Sequence, residues 1–103
     1  MLLVNTDFIT GKNIETLQIV KGSTIRAKNV GRDILSGFKN LVGGELTAYT
    51  EMINEARAIA TKRMVDEAEQ LRADAVINIR YATSSVTTGA AEVMVYGTAV
   101  KFK

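Results

Sequence analysis

The sequence predicts an α+β protein with strands near both ends and one long helix between them. Short apolar and alternating runs before residue 28 are typical of strands. The stretch from about Glu45 to about Leu71 contains neither proline nor glycine and has apolar residues at helical spacing. From Ala73 onward, two further alternating runs flank a polar connection, which predicts a hairpin.

Composition limits the class of protein. The 103 residues favour one domain spanning 1–103, and 47% apolar residues are typical of a globular chain. The net charge of +2 is spread along the sequence, so we expect no nucleic-acid partner. No run approaches the ~18 apolar residues of a membrane span, and the N-terminus lacks the features of a signal peptide. We therefore expect a cytoplasmic protein without a membrane partner.

The chain has no cysteine and no histidine. Disulfides, thiolate metal cages and cysteine nucleophiles are therefore excluded. The commonest general base and the commonest transition-metal ligand are missing as well. A Ser–His–Asp triad and a histidine-based zinc protease site are both impossible.

The residue pattern of the first quarter of the chain predicts strands. Leu2 to Thr6 is a short apolar run, and turn residues follow at Thr10 to Asn13. Ile14 to Val20 alternates and is rich in β-branched residues, which indicates a strand with one wet face. Gly22 then interrupts the pattern and is interpreted as a bulge, after which Ser23 to Lys28 resumes the strand.

Two helices are predicted in the middle of the chain. Gly31 to Leu41 has the spacing of a short amphipathic helix, which Gly43 and Gly44 end. The long helix should run from about Glu45 to about Leu71. One of its faces carries an apolar stripe with several alanines, which would let it lie close on a sheet: Leu46, Tyr49, Ile53, Ala56, Ala60, Met64, Ala68 and Leu71.

The predicted hairpin pairs Ala73 to Thr83 with Ala91 to Phe102 through a polar loop, Ser84 to Gly89. Alternation in the first strand would place Ile77, Ile79 and Tyr81 on one face and Val76, Asn78 and Arg80 on the other. The last strand is apolar on both faces, with Met94, Tyr96, Val100 and Phe102 opposite Val93, Val95 and Ala99. One helical layer covers only one face, so we expect the other to meet a second subunit.

Several short motifs occur together: VGGE at Val42 to Glu45 followed by Tyr49, EAR at Glu55 to Arg57, RM at Arg63 and Met64, ADAVINIR at Ala73 to Arg80, and GTAV at Gly97 to Val100. Their combination resembles the YbjQ-like family, small and mostly bacterial proteins often labelled as heavy-metal-binding. The resemblance covers essentially the whole chain. It implies a two-layer β-α-β-β fold with an antiparallel sheet, similar to the dodecin subunit, and a ring-shaped homopentamer joined by extra short strands.

Two features depart from the family pattern. Arg72 stands where the family usually has glycine before its A-[DN]-A motif. Either the helix is capped in another way or Arg72 carries roughly 1 kcal/mol of backbone strain. The second departure is chemical, because soft metals require thiolate or imidazole ligands. We therefore expect no tight Zn, Cu(I) or Hg site, which leaves only carboxylate sites for harder ions.

Four residues are candidates for ligand binding. Arg57 and Arg80 could hold an anion bidentately, or they could pair structurally with Glu45, Glu67 or backbone carbonyls across a subunit seam. Arg57 lies about 40° from the centre of the helical stripe, so partial burial is expected. Glu45 could be a ligand or could complement the helix dipole, and Tyr49 could belong to a site or to the core.

Two hypotheses remain. In the first, a non-enzymatic homo-oligomer binds a small ligand or ion at its subunit interfaces. In the second, an enzyme uses Glu45, Tyr49 and Arg57 for acid–base chemistry and for holding an anion. No residue is assigned a catalytic or metal-ligating role, and the sequence implies no particular cofactor.

Overall fold

The computed structural model of the chain describes residues 1–27, 44–87 and 89–103, and only the backbone of residues 44–46. It contains β1 (Leu2–Leu3), β2 (Ile14–Ala27), α1 (Gly44–Gln70), β3 (Ala75–Thr87) and β4 (Ala90–Phe102). The predicted long helix is confirmed to within about one residue at each end. The short helix predicted for Gly31 to Leu41 lies outside the described residues. Within the described ranges, no helix has the length and apolarity needed to cross a membrane.

The strands form one sheet in the order β1-β3-β4-β2, with α1 packed on one face. Antiparallel pairing joins β4 to both β2 and β3, which confirms the hairpin and the two-layer α+β fold. β1 adds a short parallel pair in which Leu2 lies beside Ala75 and Leu3 beside Val76. The sheet is therefore mixed rather than purely antiparallel.

The apolar stripe of α1 packs on the sheet mainly through small side chains. Ala56, Ala60, Met64 and Ala68 are fully buried, which confirms the predicted stripe at these positions. They form one core with residues of three strands, namely Val20, Val76, Val93, Val95 and Ala99. Because three of the four helical side chains are methyl groups, the helix lies very close to the strands.

Gly22 marks this close approach and not a bulge. A Cβ added there would come within 2.5 Å of the backbone nitrogen of Met64, and closer still to the carbonyl oxygen of Ala60. The register irregularity of β2 falls instead between Thr16 and Gln18. The predicted bulge at Gly22 is therefore wrong, because the glycine leaves room for the helix backbone above the strand.

The end of α1 explains the unusual Arg72. Its φ of 59° is left-handed, the conformation that glycine most often adopts after the end of a helix. The Arg72 N–H donates to the Glu69 carbonyl at 2.9 Å, and the Ala73 N–H donates to the Ala68 carbonyl at 3.1 Å. These two bonds form a Schellman motif. Arg72 therefore takes the strained conformation rather than changing the cap.

A bulge in β3 changes which side chains share a face. Asn78 has a φ of 55°, and the pairing with β4 slips by one residue between Ile77 and Arg80. Ile77 packs on the helix-free side, whereas Ile79 packs against the helix-side core. The prediction that Ile77, Ile79 and Tyr81 share a face is therefore wrong, because the extra residue reverses the alternation after Ile77.

The hairpin has a shorter connection than predicted. β3 continues to Thr87 and β4 begins at Ala90, so most of the predicted loop is strand. Ser84 pairs with Glu92 and Ser85 with Ala91. Serine and threonine were interpreted as loop residues, but here their backbones are held by the partner strand, which overrides their local preference.

β4 is apolar on both faces, as predicted. One face is covered by α1, and part of the other is covered by the N-terminal segment and the strand ends. Val93, Val95 and Ala99 are fully buried in the core under α1. On the other face, Val100 joins Ala75 and Ile77 in a second, smaller core. The N-terminal segment and the ends of β2 and β4 cover this second core through Val4, Ile9, Ile14 and Phe102.

Farther along the helix-free face, large apolar side chains are exposed. Ile19 is 63% exposed, Ile25 is 61% exposed and Tyr96 is 37% exposed. The register places all three on the side away from α1, because they alternate with the residues buried beneath the helix. We call the surface formed by Ile19, Ile25, Met94 and Tyr96 the outer face.

Side chains of α1 close the free edge of β2. The Arg63 guanidinium donates to the carbonyl of Ser23 at 2.7 Å, and the Lys21 N–H donates to the Glu67 carboxylate at 3.2 Å. Both bonds use backbone groups that another strand could otherwise pair with. At the opposite side of the sheet, no described strand pairs with the outer edge of β3 from Arg80 onward.

Candidate functional site

Arg57 is exposed on one flank of α1 and bonds the side chain of Asn54, with 2.8 Å between Nη1 and Oδ1. The helix packs mainly over β2 and β4, so its flank toward β3 is left open. Within one chain, the partial burial expected for Arg57 is therefore not present. Glu67, one of its expected partners, bonds the backbone of β2 instead. Pairing of Arg57 across a subunit seam stays a prediction.

Arg80 lies on the opposite side of the sheet. It pairs in register with Tyr96 of the outer face, and its Nη1 donates to the carbonyl oxygens of Asn5 at 3.3 Å and Ile79 at 3.2 Å. Bonding to backbone carbonyls is the structural alternative considered for this arginine, here within one chain. The sheet separates Arg80 from Arg57, so the two do not form one anion site in a single chain.

The remaining two candidates lie toward the start of α1. Tyr49 is half-buried and makes contacts in the chain. The side chain of Glu45 lies outside the described part of the structure. Arg57 follows Tyr49 by eight residues, which corresponds to about 12 Å along a helix. Among the predicted residues with described side chains, Tyr49, Arg57 and Arg80 do not form one cluster within a chain, and the place of Glu45 in a site stays a prediction.

A residue that sequence reasoning missed, Thr61, connects the open flank of α1 to β3. Its Oγ1 lies 2.7 Å from the carbonyl oxygen of Arg57 and 2.8 Å from the phenol oxygen of Tyr81. A carbonyl can only accept, and Thr61 has one hydroxyl proton, so Thr61 donates to Arg57 and Tyr81 donates to Thr61. The phenol is thereby oriented, although Tyr81 remains 49% exposed.

Helix and strand geometry places further polar residues of α1 and β3 along the same flank. β3 runs antiparallel to α1. A step of one turn toward the N-terminus of the helix therefore corresponds to a step of two residues toward the C-terminus of the strand. These steps cover about 6 Å and about 7 Å, respectively. Arg57 is therefore level with Thr83, and Asn54 is nearly level with Ser85. Thr83 and Ser85 are exposed on the same side of β3 as Tyr81.

We call this feature the Arg57 groove, and its residues are Asn54, Arg57 and Thr61 from α1 and Tyr81, Thr83 and Ser85 from β3. It contains one cation, one amide and four hydroxyls, and no carboxylate. Several acids of α1 are engaged elsewhere, where Glu55 pairs with Arg26, Asp66 pairs with Lys62 and Glu67 accepts a backbone N–H from β2. The groove can therefore offer hydrogen-bond donors and a positive charge that no described carboxylate pairs with.

The chain is similar to known proteins along its full length. The model of the YbjQ family, described as "Putative heavy-metal-binding", matches residues 1–103. A UPF0145 protein from Alkaliphilus metalliredigens is 74% identical over 99% of both chains. Another, from Clostridium novyi, is 74% identical over 98% of both. A UPF0145 protein from the archaeon Methanosarcina acetivorans is 55% identical over 98% of this chain and 96% of its own.

A solved structure shares the fold. It is a protein with unknown function of the DUF74 family from Pediococcus pentosaceus, with a TM-score of 0.68 and 16% sequence identity. The match covers 100% of this chain and 98% of that chain. At this identity the likeness concerns the arrangement of the helix and the sheet.

The residues of this chain do not fit the heavy metals of the family description. The sequence supplies neither thiolate nor imidazole, the ligands that soft metals prefer. Across residues 1–27, 44–87 and 89–103, no three acidic side chains lie close enough to hold an ion together. One chain therefore provides no recognisable set of metal ligands in its described part.

Proposed function

The chain belongs to the YbjQ-like family, and on that premise we propose that it is the subunit of a cytoplasmic homo-oligomer, a pentameric ring, that binds a small ligand or ion where subunits meet. The proposal rests mainly on the outer face. This face is the part of the sheet that neither α1 nor the N-terminal segment covers.

Ile19, Ile25 and Tyr96 are three large apolar side chains exposed on one face of the sheet, and apolar side chains gathered on one face are typical of an interaction surface. They lie around the middle of the sheet, on β2 and on its neighbour β4. A second layer from another subunit would bury them, as α1 buries the opposite face. Removing such side chains from water is favourable by about 25 cal/mol for each Å² of apolar surface, before the entropic cost of association is subtracted.

Sedimentation velocity tests the assembly directly. We expect a closed oligomer at micromolar concentration, with a mass of five times the 11.2 kDa subunit. Ile19→Lys and Ile25→Lys should shift the protein toward smaller species, because each would place a charge in the seam while leaving the folded chain intact. Ala58→Lys, at an exposed helical position, is the matched control. A wild-type monomer, or variants that assemble normally, would contradict the proposal.

The ligand-binding part of the proposal requires a separate measurement. Native mass spectrometry of freshly purified protein should show a small molecule or ion retained by the oligomer. A ring that carries no additional mass, even after incubation with cell extract, would contradict ligand binding and leave only the proposed assembly.

Acid–base catalysis by Glu45, Tyr49 and Arg57 has less support, because Arg57 lies about 12 Å along the helix from Tyr49.

A further inference from the structure

The Arg57 groove differs from the rest of the helix surface in its hydrogen-bonding capacity. Arg57 has five N–H donors and uses one of them to bond Asn54. That bond occupies the amide oxygen of Asn54, so the NH₂ group of Asn54 keeps its own donors available. The arginine is thus held by a neutral acceptor, and among the described side chains no carboxylate pairs with it.

The hydroxyls on the strand side complete the set. Ser85 donates to the carbonyl of Thr87 at 3.3 Å, and Tyr81 donates to Thr61. The hydroxyl of Thr83, which is level with Arg57, makes no side-chain hydrogen bond within the described part of the chain. Its proton is therefore available at the level of the guanidinium. Donors along one flank, at the level of a guanidinium that no described carboxylate pairs with, match the oxygens of an anion and not a metal cation.

We infer that the Arg57 groove binds the oxyanion group, phosphate or carboxylate, of a small molecule. This inference rests on the proposed function and gives its ligand a chemical class. The guanidinium supplies two parallel N–H bonds to the anion, and the Asn54 amide and the Thr83 hydroxyl supply further donors. The exposed ring of Tyr81, one helical turn away, offers a flat apolar surface for the remainder of the ligand.

The test uses inorganic phosphate and phenyl phosphate as probes on the full-length protein. Each is titrated at constant ionic strength, and binding is followed by NMR shifts of the backbone amides. The wild type should show saturable shifts at Arg57, Thr83 and neighbouring residues. Phenyl phosphate should bind more tightly than phosphate, because its ring can contact Tyr81.

Variants locate the site. Arg57→Gln should weaken phosphate binding by roughly tenfold, as expected for loss of a charge-assisted pair at an exposed position. Tyr81→Ala should abolish the advantage of phenyl phosphate over phosphate. Lys62→Gln is the control, because it removes an equally exposed helical cation that is paired with Asp66 outside the groove.

Three results would overturn the inference: no saturable shifts in the wild type, equal weakening by Lys62→Gln, or weakening by Arg80→Gln in place of Arg57→Gln. Sedimentation of the same samples separates this inference from the proposed function. An intact oligomer without phosphate binding refutes the oxyanion site alone. A monomer that binds phosphate at Arg57 supports the site and refutes the assembly.

Discussion

Gly22 of β2 lies directly beneath the backbone of Met64 in α1. A Cβ at Gly22 would come within 2.5 Å of the Met64 nitrogen. The two nearest helix atoms, the Ala60 carbonyl oxygen and the Met64 nitrogen, belong to the backbone and cannot move aside by changing a rotamer. The separation of helix and sheet is therefore set at this point by the absence of one side chain.

Gly22→Ala should destabilise the protein by about 2 kcal/mol or more, because overpacking against fixed atoms typically costs about 1–3 kcal/mol. For a domain of this size, each kcal/mol lowers Tm by roughly 4–8 °C. Ser23→Ala is the matched control, since it alters an exposed neighbour by one oxygen. Thermal unfolding that gives both variants the wild-type Tm would show that the helix sits farther from β2.

Arg72→Gly should stabilise the protein by about 1 kcal/mol. Arg72 occupies a left-handed conformation that costs a residue with a Cβ roughly 1–2 kcal/mol, and glycine avoids most of this strain. Urea denaturation would measure the change in the free energy of unfolding. Arg72→Ala separates the backbone effect from loss of the guanidinium, because alanine keeps the Cβ. Equal stability of the glycine and alanine variants would argue against a left-handed Arg72.

These two glycine-related predictions illustrate what the sequence could reveal. The spacing of Ala56, Ala60 and Met64 was sufficient to predict the buried stripe, because helical periodicity is a local property. Gly22 was misinterpreted since its role depends on a helix that crosses it some 40 residues later in the chain. The bulge at Asn78 was missed for a similar reason, because alternation along one strand does not report the register of its partner.

The site was only partly predictable. The position of Arg57 beside an apolar stripe identifies it as a candidate. Its partners, however, depend on the placement of α1 over β2 and β4 rather than over β3. That placement brings Thr61 to Tyr81 and leaves the flank around Arg57 open. Arg57 and Thr61 share one side of the helix at i, i+4, which was the available signal for a common site. Which strand faces these two residues could be learned only from the structure.

Arg57→Ala should change the free energy of unfolding by less than about 0.5 kcal/mol, because the side chain is exposed and bonds a neutral amide. Arg63→Ala should cost more, about 1 kcal/mol, since it leaves the Ser23 carbonyl without its partner at the sheet edge. Thermal and chemical unfolding of both variants would measure the difference. A loss of about 3–5 kcal/mol for Arg57→Ala would instead indicate a charge pair buried between subunits.

The protein should not retain stoichiometric zinc or copper. Scattered carboxylates bind these ions weakly, and the chain has no thiolate or imidazole to add. Elemental analysis after incubation with each metal and extensive dialysis would measure the retained amount. A tightly held soft metal at one ion per subunit would require a site assembled from several chains and would contradict this expectation.

The bonds from α1 to the edge of β2 make the two edges of the sheet unequal as places for a further strand. With Ser23 and Lys21 already bonded to the helix, an incoming strand would have to displace Arg63 and Glu67 before it could pair there. Among the described strands, the far half of β3 and the outer edge of the two-residue β1 have no strand partner. If two copies paired through the far half of β3, β2 would be the outermost strand at both ends of the joined sheet. The helix bonds at β2 would then hinder the pairing of a third copy. Arg63 and Glu67 thus oppose the addition of a strand at Ser23 and Lys21.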